Sequence, residues 1–101
     1  MSVDKQISNV REIVKNYLEI NAERAGIGLL ILNPESKDHI INIGTSVLCA
    51  QWDVGYPPGG FVQAVIDNDL SGTFARADHI NREAVYFYVM MLRNIDRPQN
   101  I

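Results

Sequence analysis

The sequence predicts a small α+β domain: an N-terminal helix, a short antiparallel β-hairpin or sheet, and two to three C-terminal helices. Three observations carry that expectation. Apolar residues recur at three- and four-residue spacings from Val3 to Leu18 and again beyond Phe61, the period of a helix with one buried stripe. Between those segments, Ile27 to Leu32 and His39 to Ile43 are short runs rich in branched side chains, separated by Asn33-Pro34-Glu35-Ser36. Turn residues between two such runs read as a hairpin. A chain of 101 residues holds one core and hence one domain.

In the first helix the stripe is Val3, Ile7, Val10, Ile13, Val14, Tyr17 and Leu18, with Ser2 placed as N-cap and Asp4 in the first turn. Charges of alternating sign mark its outer face. The pattern dissolves between Asn21 and Gly26. After the expected hairpin, Thr45 to Trp52 reads equally as a third strand or a helical turn. A sheet this small must press one face on helices to be stable.

Asp53 to Gly60 is a connector. Its prolines fix φ and remove donors, and its glycines permit close backbone approach. Gly59 and Gly60 fit either a plain loop or an amide nest holding an anion at a helix start.

The stretch from Pro57 to Asn94 organises the rest. Phe61, Val62, Val65, Ile66 and Leu70 predict a helix of about three turns, and Asp69 is placed to cap a further turn carrying Phe74. The last helix has Ala77, Ile80, Ala84, Phe87, Met91 and Ile95 on one stripe, widened by Val85, Tyr88, Val89 and Leu92, with Pro98 beyond it. A helix apolar on most faces predicts both a central place in the core and a shared subunit surface. A homo-oligomer is therefore expected, with Tyr88 and Met91 at the contact.

The net charge of −3 is unevenly distributed. Residues 1–25 balance, residues 26–70 carry one Lys against five acids, and residues 71–101 carry four Arg against three acids. A chain of this sign lacks the basic face that displaces counterions from phosphates, so no direct nucleic-acid binding is expected. Cys49 is the only cysteine, which excludes an internal disulfide and fits a reducing compartment. No apolar run approaches the ~20 residues of a membrane span. The expectation is a cytoplasmic protein with no membrane association.

No nucleophile–base pair, phosphate loop or dinucleotide fingerprint is present, so no catalytic residue is assigned. His39 and His79 lack the companions of a zinc site. Residues 67–78 match the spacing of a calcium loop at Asp67, Asp69, Ser71, Gly72, Phe74 and Asp78. Leu70 at the fourth position and Asp78 in place of a bidentate Glu count against it, so neither a metal nor a cofactor is assigned.

Gly59-Gly60-Phe61, Ala64-Val65, Asn68-Asp69-Leu70, Phe74, Arg76-Ala77-Asp78 and Asn81-Arg82 also lie in one register. That register resembles a group of small uncharacterised phage and prophage proteins with a GGFxxAVxxNDL segment followed by RADxxNR and an apolar helix. The resemblance covers residues 57–95 and departs at Thr73 and Ala75, where the pattern has Ala and Gly. It implies a phage origin, a place in the host cytoplasm and no particular activity.

In that register Asn68, Asp69, Arg76, Asp78, Asn81 and Arg82 form a polar cluster between two apolar helices, and with Gly59 and Gly60 they make up the expected ligand-binding set. Its arginines suit carboxylates or phosphates, or simply tie helices together. Taken with the resemblance, which implies a phage-type accessory (anti-defence) binding protein, the cluster is expected to sequester a host nucleotide signal, a small anion, in an oligomer. Its alternative is an inhibitor that covers a host defence protein with the acidic face of residues 26–70. The weakest reading is a calcium-binding module.

Overall fold

The computed structural model describes residues 2–101, and among these every regular element is a helix, without a strand. Five helices follow in order: α1 (Val3–Asn21), α2 (Pro34–Gln51), α3 (Gly60–Ile66), α4 (Leu70–Arg76) and α5 (His79–Asn94), with a 3₁₀ turn at Leu30–Leu32. The expected α+β class is therefore corrected to all-α. α2 is the centre, packing against α1, α3, α5 and the 3₁₀ turn, while α4 packs on α3.

The segment expected as a hairpin supplies this central helix. Asn33-Pro34-Glu35-Ser36 is a helix start. The Asn33 side chain accepts from the Glu35 and Ser36 N–H groups at 2.9 and 3.1 Å, Pro34 occupies the first turn, and Glu35 adds an acid there. Proline's fixed φ suits that turn, where its missing N–H has no partner to lose, and an acid offsets the positive helix end. Ile40, Ile41, Gly44, Thr45, Val47 and Leu48 then share one buried surface. β-branched residues favour strands only weakly, and a helix that buries them on several neighbours overrides the preference. Thr45 to Gln51 is accordingly helix, and Ile27 to Leu32 is a loop closed by the 3₁₀ turn.

Gly44 is where three helices meet. A Cβ there would lie 2.9 Å from Val14 Cγ1 of α1 and 3.1 Å from Met91 Cε of α5. Around it Val10, Val14, Leu18, Ile40, Val47, Leu48, Phe87, Tyr88 and Met91 are fully enclosed. Tyr17, Phe87, Tyr88 and Phe61 form a chain of ring contacts with centroids 5.9 Å apart. Such tilted and edge-on pairs add to their area burial. Tyr88 and Met91, expected at a subunit contact, are interior to the chain.

Helix ends are closed by local chemistry. Ser2 accepts from Lys5 N–H at 3.2 Å. α1, α2 and α3 end in paired carbonyl bonds around Gly26, Asp53 and Asn68, each with positive φ. Such left-handed ends are the usual way to satisfy the last carbonyls. Beyond α5, Arg97 donates to the Trp52 and Ile101 carbonyls, each at 2.7 Å, folding the tail back onto the end of α2. Among the described residues no helix is long and apolar enough to cross a membrane.

Gly44→Ala tests the three-helix contact. Overpacking of about 1–3 kcal/mol should exceed the roughly 1 kcal/mol that Ala gains over Gly in a helix. A lower urea midpoint with unchanged m-value is the expected outcome.

Candidate functional site

The eight residues of the expected ligand-binding set take different places in the fold. Asn68 holds the left-handed position that ends α3, a conformation Asn tolerates better than most residues. Asp69 caps α4, accepting from Gly72 N–H at 2.9 Å. Asp78 caps α5, accepting from Asn81 N–H at 2.7 Å and meeting His39 Nε2 of α2 at 2.9 Å. Burial alone would raise the Asp78 pKa. The N–H groups of Asn81 and Ile80, with the hydrogen bond and charge of His39, outweigh it and hold the carboxyl below its ordinary value of 3.8.

Asn81 is buried and accepts from the Tyr88 hydroxyl at 2.8 Å. Burial, aided by the charge on Asp78, pushes the Tyr88 phenol far up, so it stays protonated and donates. The Tyr88–Asn81 bond lies within α5, and the His39–Asp78 contact joins α2 to the start of that helix.

Gly59 caps α3 without a side-chain bond, and Gly60 opens it. Arg76 lies across Gly60, where a Cβ would stand 3.1 Å from Arg76 Cδ, and donates to Gly72 O at 3.4 Å. Gly60, Ala64, Asp67, Asp69 and Arg76 line a depression of about 210 Å³. Two of its liners are carboxylates, which oppose an incoming anion. Arg82 does not line it and is exposed on α5. The two arginines are thus parted, and the cluster forms no single anion pocket.

The segment that matches calcium-loop spacing, the weakest of the readings, is broken up as well. Asp67 ends α3, Asp69 caps α4, and Ser71 to Arg76 are helical. Among the described residues no group of three or more His, Cys, Asp or Glu side chains is placed to hold a metal ion.

A depression of about 420 Å³ runs between the Tyr56-Pro57-Pro58 connector and α2. Thr45 and Cys49 face it, but the Thr45 hydroxyl is bonded to Ile41 O at 2.7 Å, and burial raises the Cys49 thiol pKa away from reactive thiolate. Nothing there forms a nucleophile–base pair.

A surface that the sequence reading missed lies at the far end of α1. Ile20, Leu29 and Leu32 are 81%, 85% and 75% exposed. Leu32, Gly28 and Glu23 line two adjoining depressions of about 400 Å³ each; Leu29 stands at one and Ile20 at the other. Apolar side chains are common on surfaces singly, but several in one place mark an interaction site. A signal was available, since Ile20 lies off the buried stripe of α1, two residues past Leu18.

No family model, no curated protein and no solved structure matches this chain.

Two measurements check the internal network. Tyr88→Phe should cost about 1–3 kcal/mol by leaving the Asn81 carbonyl buried without its donor, read as a lower thermal midpoint. His39→Ala should raise the Asp78 pKa toward its ordinary value in a carboxyl NMR titration. Because the folded pKa is the depressed one, the contribution of Asp78 to stability is present above pH 3.8 and is lost as pH falls through the folded value. The variant should lose part of it.

Proposed function

We propose that this protein works by binding another protein through the apolar surface of Ile20, Leu29 and Leu32. The carrying observation is the near-complete exposure of these three aliphatic side chains around two shared depressions. Desolvating such a cluster is the main driving force open to a small rigid surface. In the phage setting implied by residues 57–95, the target is a component of a host defence complex, and the protein acts by covering it.

Sequestration of a nucleotide signal has less support. Arg76 and Arg82 are parted, and Asp67 and Asp69 line the depression beside Arg76. An obligate oligomer is likewise less needed, because Phe87, Tyr88, Met90 and Met91 are buried by the chain itself.

Site-specific photocrosslinking in a bacterial host tests this reading. Benzoylphenylalanine at position 29 should give one discrete adduct with a different protein, lost when Leu32→Asp is added. The same group at Glu12, exposed on α1, should give none. Equal labelling from both positions, or no adduct at either, would reject the reading.

A further inference from the structure

Resting on that reading, we infer that the occupant of the Ile20–Leu29–Leu32 surface is a basic amphipathic helix of the partner protein. Its apolar side chains enter the two depressions astride Leu32, and its Lys or Arg residues meet Glu23 and Glu19.

The shape argues for a helix. The two depressions share Leu32, Gly28 and Glu23, so Leu32 stands as a ridge between two hollows. A helix presents apolar side chains at positions i, i+3 or i+4, and i+7, which suit successive hollows along one groove. Gly28 borders both. A Cβ there would stand 3.1 Å from Glu23 Cγ, so a side chain at this position would crowd the carboxylate arm that lines both hollows.

The charge argues for a basic partner. Glu19 lies in the last turn of α1 and Glu23 just past its end, and that turn carries no basic residue. The helix C-terminus already bears partial negative charge, so carboxylates there are disfavoured in the free chain. Lys37 is the only cation at the depressions, and it meets Glu19 at 3.5 Å. Glu23 makes no ion pair with any described residue. Arg24, next in sequence, lines neither hollow.

A second copy of the chain fits less well. It would bring Glu19 and Glu23 against the same pair, with one Lys37 from each side to offset them. A cationic segment removes the repulsion and restores what α1 lacks at its end.

The test uses the purified full chain and two labelled helical peptides with the same leucine stripe, one flanked by Lys and Arg, the other by Glu. Fluorescence anisotropy at low salt should show the basic peptide binding about tenfold more tightly or better, with the difference shrinking at high salt. Glu23→Gln should weaken the basic peptide by about two- to fivefold, the range for an exposed ion pair. Gly28→Leu should abolish its binding without changing the helical circular dichroism.

Equal binding of both peptides, or binding of neither, overturns the inference. If the crosslink from position 29 persists in that case, protein docking stands and only the partner's chemistry was wrong. Loss of both overturns the reading beneath it. A Leu32-dependent dimer in sedimentation would identify a second copy as the occupant and also overturn the inference.

Discussion

The close meeting of α1, α2 and α5 at Gly44 is the constraint on which the rest of the structure depends. With no side chain at that position, Val14 and Met91 come within about 3 Å of where a Cβ would sit. The two amphipathic helices therefore converge on the same glycine of one central helix and touch each other through Tyr17 and Phe87. In a chain of this size the core has little area to spare. Close three-way contact lets Val10, Val14, Leu48, Phe87 and Met91 be enclosed by their own chain. Across the surface, Arg11 of α1 bonds Asp38 and Asn42 of α2. Exposed pairs of this kind contribute little energy but hold one register.

That geometry reassigns the polar residues of the second half. A chain that changes direction several times between Gly55 and His79 has many helix ends in few residues, and each end leaves unpaired donors or acceptors. Asn68, Asp69 and Asp78 satisfy them. Asn81 and Tyr88 satisfy each other inside the core. A register of Asn, Asp and Arg residues resembling a ligand site is, for most of its members, the joinery of short helices. Arg76 lies over Gly60 with a bond to Gly72 O, and Arg82 is exposed on α5.

The exposed apolar surface proposed for docking lies where α1 ends. Gly26, in a left-handed conformation, turns the chain out of α1, and the following residues come back beside it to start α2. Ile27 is drawn into the core while Leu29 and Leu32 are left outside. An apolar ridge with carboxylates at its edge is costly to a free chain, since it gains neither burial nor favourable placement of charge. A partner of the proposed kind would recover both.

Much of the fold was legible locally. The stripe of α1, its Ser2 cap, the Asp69 cap of α4, the proline-rich connector and the apolar character of α5 each follow from spacing and short-range hydrogen bonding, which neighbours in sequence determine. The hairpin was not. Ile40, Ile41 and Ile43 suit a strand and a helix almost equally. Only the fit of Gly44 between α1 and α5 and the burial of Ile40, Ile41, Val47 and Leu48 on several sides decide for the helix. The site divides the same way. Residue types able to cap or pair could be read from the chain, but which ones were used internally depended on the approach of His39 to Asp78 and on the burial of the α5 face that carries Asn81 and Tyr88. The exposure of Leu29 and Leu32 was likewise beyond sequence. A leucine's side chain carries no mark of whether the rest of the molecule will cover it, and that is decided only when the helices have packed.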